Sequence, residues 1–181
     1  MIRHRSLLLV VFALVAPAAG AKTFLTQEQA LARAFPRGTQ VVREPFFLSA
    51  VQMEEVRKRS DAAFDQELAI RYVGLRDGAI VGYAYFDAHR VRTLPETVMV
   101  VVTPGGSIER VEILSFAEPE DYLPRPRWLE QFRGRKLGAE LSLRGAIRPI
   151  TGASLSGRAI VNASRRILAL HQVLPPRKGS K

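Results

Sequence analysis

The stretch that decides the fold is Leu68 to Phe86, LAIRYVGLRDGAIVGYAYF. Leu68 to Leu75 alternates between apolar and other residues, as a half-buried strand does. Asp77-Gly78 follows, the pair favoured where a two-residue hairpin turn needs positive φ. Ala79 to Phe86 then returns as the partner strand. Further on, Thr97 to Thr103 (TVMVVVT) is a β-branched run, Pro104-Gly105-Gly106 turns it, and Ser107 to Phe116 pairs back. Two successive hairpins predict an antiparallel sheet.

Helical segments lie on both sides of these hairpins. Thr26 to Phe35 predicts a short helix, with Thr26 as N-cap, Gln29 in capping-box position, and Leu31, Ala34 and Phe35 on one face. Ser49 to Arg59 predicts another, with Val51 or Met53 and Val56 turned inward. Pro126 to Arg133 predicts a third, holding Trp128 and Phe132 four apart. Gly157 to Val173 is the clearest: Ile160, Ala163, Ile167, Leu170 and Leu174 form a stripe, and Arg158, Asn162, Arg165 and Arg166 occupy the other side. The expected class is α+β, a twisted antiparallel sheet of successive hairpins packed by helices, ending in an amphipathic helix.

The chain of 181 residues suffices for one domain. Arg3 and Arg5, the apolar run Ser6 to Ala16, and Ala19-Gly20-Ala21 read as an export signal over residues 1–21, cleaved before Lys22. The expected domain covers 22–174, followed by a basic flexible tail at 175–181. The chain contains no cysteine, which excludes disulfides, zinc-thiolate sites, iron–sulfur clusters and c-type haem attachment. Formal charge is +10, or +8 once Arg3 and Arg5 are removed, and the basic residues crowd the second half. With an export signal, that surface suits an anionic membrane surface or an acidic protein rather than nucleic acid.

No H-E-x-x-H, G-x-S-x-G or G-x-G-x-x-G is present, and His89 and His171 are single and far apart. What remains is Thr151-Gly152-Ala153-Ser154-Leu155-Ser156-Gly157, directly before the best helix. A helix N-terminus offers free N–H groups and a dipole that favour phosphate. Gly152 permits close approach, and Ser154 adds a hydroxyl beside that position. By local physics alone, the same residues also serve as helix caps.

The segment resembles the flavinylation motif of the FMN-binding domain family, found in the covalent-flavin subunits of Rnf and Na+-translocating quinone reductase complexes. That motif runs Asp, two variable residues, Ser or Thr, Gly, Ala, then Thr. Thr151, Gly152 and Ala153 match it, Ser154 stands at the attachment position, and Arg148 replaces the leading Asp. Tyr72 to Tyr83 (YVGLRDGAIVGY), His89 to Glu96 (HRVRTLPE), Glu118 to Leu123 (EPEDYL) and Trp128 to Gly134 (WLEQFRG) are also similar to stand-alone exported members.

The resemblance implies FMN joined through its phosphate to the Ser154 hydroxyl by a Mg2+-dependent flavin transferase. It also implies electron transfer with a membrane redox complex, in the periplasm or at a membrane face. Under this reading, Thr151 and Ser156 bind phosphate or cap the helix, and Arg158 neutralises phosphate or is simply exposed. Trp128 covers the flavin ring or joins the core. His89 and Thr93 approach the ring or end a strand. Arg148 either pairs with the phosphate or weakens flavinylation. The alternative is an interaction module that binds FMN non-covalently or not at all.

Overall fold

The computed structural model describes residues 21–177; residues 1–20 of the proposed export signal and the tail beyond Arg177 lie outside them. The elements are β1 (Lys22–Thr23), α1 (Gln27–Ala34), β2 (Gln40–Phe47), α2 (Ala50–Ser60), β3 (Leu68–Arg76), β4 (Ala79–Arg90), β5 (Pro95–Val102), β6 (Ile108–Phe116), α3 (Pro126–Leu129) and α4 (Ser154–Val173). The fold is α+β. Six strands form one open sheet in the order β1-β6-β5-β4-β3-β2, with every neighbouring pair antiparallel. The hairpin predicted at Asp77-Gly78 joins β3 to β4, with φ of 51° and 76° at the two turn residues.

Both faces of the sheet are covered. Val98, Val100 and Val102 of β5 point into one core with Tyr83, Tyr85 and the inward residues of α2 and α4. Met99 and Val101 point the other way, to Ala30, Ala34 and Phe35 of α1 and its end. The period of two therefore divides β5 between two cores, and this is why its sequence reads as an unbroken apolar run.

Phe35 lies in a slot made by glycines. Gly74 and Gly82 are cross-strand partners, and a Cβ on Gly74 would come within 2.6 Å of the Phe35 ring. Gly74→Ala is expected to cost about 1–3 kcal/mol through overpacking, read from the urea midpoint at unchanged slope. Wild-type stability would show that Phe35 has room to move.

Several sequence expectations are corrected. Strand β2 was not expected. It carries Pro45 and charged residues and sits at the sheet edge, where one side is unpaired and the apolar alternation weakens. Of the two inward candidates on α2, Met53 packs on the core, whereas Val51 is 79% exposed. The third helix closes after one turn at Leu129 and continues as a 3-10 turn over Glu130–Phe132.

Helix α4 begins at Ser154, not Gly157. Gly157 is a contact residue: a Cβ there would lie 3.4 Å from the Trp128 ring. Arg165 and Arg166 are half-buried and bonded inward rather than solvated. The first residues of the proposed flexible tail are held. The Pro175 carbonyl accepts from Arg71 at 2.9 Å, and Arg177 pairs with Glu44 at 2.7 Å.

Candidate functional site

Ile150 and Gly152 bring the chain into α4 through a turn, with Gly152 at φ +80°. That left-handed value suits the glycine that the sequence places there. Ala153 is the N-cap residue, and no side chain caps the helix. The first N–H groups of a 20-residue helix are thus left to water or a ligand. Ser154 is exposed as the first helical residue, so it is not the N-cap that local reasoning also allowed. Ser156 is buried, at 1% exposure.

Ser154 opens onto a cleft of about 250 Å3. One wall is the end of the loop before α4 and the first turn of that helix, residues 152–156; the other holds Val91, Arg92, Glu118 and Tyr122. Glu118 fixes this second wall. Its Oε1 accepts from the backbone N–H groups of Thr93 at 2.9 Å, Leu94 at 3.0 Å and Arg92 at 3.3 Å. The hydrogen bonds from Thr93 and Leu94 hold its carboxyl below the usual glutamate range. Among the described residues, no group of three or more His, Asp or Glu side chains is arranged to hold a metal ion.

A buried charge network ties the two walls together. Asp87 of β4 receives both Nε and Nη2 of Arg166 of α4, at 2.9 and 2.7 Å. His89 donates from Nδ1 to Asp87 at 2.8 Å and from Nε2 to Glu96 at 2.9 Å. Only the imidazolium has two N–H donors for two carboxylates. Burial pushes the His89 pKa down, but these bonds outweigh it and raise it to about 9. For Asp87, burial pushes upward, and the bonds from His89 and Arg166 bring it down to about 2. Burial raises Glu96, which is fully enclosed. Its Oε1 has no hydrogen-bond partner.

His171 behaves oppositely. It sits over Tyr83 and accepts from the Tyr85 hydroxyl at 2.7 Å. Burial, then the charge of Arg71, pushes its pKa down to about 4.

These two histidines set opposing pH slopes. His89 keeps its proton in the folded state up to about pH 9, while the unfolded chain loses it near 6.5. Its contribution is full below pH 6.5 and is lost as pH rises through about 9. Folded His171 takes a proton only near pH 4, while the unfolded chain takes one below 6.5. Its contribution is present above 6.5 and is lost as pH falls toward 4.

The melting temperature is therefore expected to peak near pH 6.5. Each arm slopes by at most about 1.4 kcal/mol per pH unit per proton. His89→Gln should flatten the alkaline arm and His171→Gln the acid arm. Unchanged slopes in both variants would contradict these assignments.

The site residues expected from the sequence separate in space. Gly152, Ala153, Ser154 and Ser156 line the cleft together. Thr151 is exposed in the turn before it, and Arg158 is exposed in the second turn of α4; neither lines the cleft. Thr93 sits in the β4–β5 hairpin as a backbone donor to Glu118.

Trp128 and Arg148 belong to another cleft. The Trp128 ring packs edge-on against Phe132 at 5.3 Å, and its Nε1 donates to the Arg148 carbonyl at 2.7 Å. Sequence reasoning missed Val91, Arg92, Glu118 and Tyr122 as wall residues. Their only signal was two segments, 89–96 and 118–123, that carried the resemblance without an assigned role.

Among the described residues, no helix is long and apolar enough to cross a membrane. No family model matches the chain, and no curated protein matches it.

Proposed function

We propose that this chain is an exported electron-transfer protein carrying FMN as a phosphoester on Ser154. The observation that carries this reading is the placement of Ser154: an exposed hydroxyl on the first residue of a long helix that no side chain caps, facing a cleft. Free N–H groups and the helix dipole favour a phosphate there. The match of Thr151-Gly152-Ala153-Ser154 to the flavinylation motif supports the same assignment.

The residues present fit the group. Gly152 and Ala153 add no bulk beside the hydroxyl, and Val91, Tyr122 and Leu155 supply apolar surface nearby. The cleft, about 250 Å3, is smaller than the roughly 300–1,000 Å3 of sites that enclose a small molecule. Such a cleft does not enclose a whole flavin, so a covalent bond supplies the retention that burial would not. FMN supplies one- and two-electron chemistry when bound, and the protein contributes attachment and orientation. A flavin transferase loads it, and a membrane redox complex exchanges electrons with it.

The test is co-expression in exported form with a flavin transferase, followed by denaturation, a visible spectrum and intact mass. One FMN retained on the denatured chain supports the proposal. Flavin released on denaturation supports the non-covalent reading instead. A colourless chain of unmodified mass leaves an interaction module without flavin.

A further inference from the structure

The second half of the chain gathers positive charge that the fold does not neutralise. Between residues 125 and 148 stand seven Arg or Lys against two Glu. Four of these, Arg125, Arg127, Arg135 and Arg148, line one cleft of about 680 Å3 around Trp128 and Gln131. Among the described residues, no carboxylate comes within ion-pairing distance of any of the four. Seven arginines outside this cleft, Arg57, Arg59, Arg71, Arg110, Arg133, Arg166 and Arg177, do meet a carboxylate. Gathering four unpaired guanidinium groups costs self-repulsion, and an anion placed among them removes it.

The cleft is also organised in advance. The Gln131 side chain accepts from the Arg148 N–H at 2.9 Å, and the Arg148 carbonyl accepts from Trp128 Nε1 at 2.7 Å. Arg135 Nε donates to the Gln131 carbonyl at 3.2 Å. The Arg135 guanidinium and the Arg148 backbone are thus positioned by α3 and the 3-10 turn after it. A guanidinium fork matches the two oxygens of a carboxylate.

The shape selects among anionic partners. Trp128 is turned inward against Phe132 and Gly157, with its N–H already used. No other aromatic side chain lines this cleft to insert into a bilayer. A cleft of this size receives several side chains rather than one ion.

We propose that this cleft is the docking site for an acidic segment of a partner protein, one presenting several Asp or Glu side chains. This goes beyond the flavin assignment and does not depend on it, because the cleft is separate from the one that Ser154 lines. Docking of this kind is driven by charge complementarity, which speeds encounter and weakens with salt.

Trp128 is the chain's one tryptophan, so its emission reports on this cleft alone. The test titrates the full chain with a hexaglutamate peptide at low and at physiological salt, reading Trp128 emission together with anisotropy of a dye on the peptide. Binding that changes Trp128 emission and weakens with salt is expected. The triple variant Arg125→Gln, Arg127→Gln, Arg148→Gln should weaken it about tenfold, from three exposed ion pairs.

A second triple variant, Arg33→Gln, Arg37→Gln, Arg76→Gln, removes the same charge from exposed positions on and after α1 and at the β3–β4 turn. It should weaken binding less than about twofold, since charges beyond a Debye length are screened. Equal weakening by both triples would reduce the cleft to net charge and overturn the proposal. So would phosphatidylglycerol vesicles that change Trp128 emission while the peptide does not, which would assign the arginines to a membrane. Circular dichroism of both triples confirms folding; exposed arginines are not expected to disturb it.

Discussion

Ser154→Ala is expected to remove covalent flavin completely while leaving the fold intact. The substitution deletes one exposed hydroxyl and no hydrogen bond that the helix depends on, since the helix has no side-chain cap to lose. Alanine is also the better helix former, so stability should change by less than about 0.5 kcal/mol. After co-expression with a flavin transferase, the denatured variant should be colourless and lack the mass of one FMN.

Ser154→Thr should retain the flavin, because a hydroxyl remains at the same place. Ser156→Ala serves as a control, since it removes a neighbouring hydroxyl without touching the Thr151–Ser154 motif. Full flavin on Ser154→Ala would move the attachment elsewhere and end the assignment. Arg148→Asp tests the one departure from the motif. Arg148 lines the Trp128 cleft rather than that of Ser154, so any gain in loading would report recognition by the transferase and not contact with phosphate.

The largest loss of stability is expected at Asp87. Its carboxylate is 4% exposed and receives His89 and both donors of Arg166. Asp87→Ala removes both hydrogen bonds of the Arg166 side chain and one of the two of His89, and removing one side of such a pair costs about 3–5 kcal/mol. That is a large share of the roughly 5–15 kcal/mol that holds a domain folded. Adding Arg166→Met to Asp87→Leu should recover much of the loss, because an apolar pair carries no desolvation penalty.

Urea unfolding measures all three. A cost under about 1 kcal/mol for Asp87→Ala would show that the network does not hold α4 to the sheet. The same network joins α4, which begins at Ser154, to the strands flanking the β4–β5 hairpin, which carries Val91 and Arg92. Loosening it should therefore lower flavin loading as well as stability.

Local rules made much of the fold legible. The Asp77-Gly78 turn, the capping box at Thr26 and the stripe on α4 are each satisfied within a few residues. Strand β2 escaped because an edge strand has little apolar alternation to announce it. Gly157 misled because a glycine before a stripe reads as punctuation; here it admits the Trp128 ring. Arg165 and Arg166 read as solvated because sequence spacing shows which side of a helix a residue occupies, not what another element brings to that side.

The sequence by itself determined the antiparallel hairpins, the α+β class, the absence of cysteine chemistry and the placing of the Ser154 segment beside the N-terminus of the last helix. These follow from residue type and short-range periodicity, which act over one turn of chain. Only the tertiary structure decided that Glu118 clamps the hairpin from 24 to 26 residues away and that Asp87 reaches Arg166 across 79. It also decided that Arg148 faces Trp128 instead of the Ser154 cleft. Those pairings are made when the sheet and α4 close over one core, and no local preference of either partner encodes them.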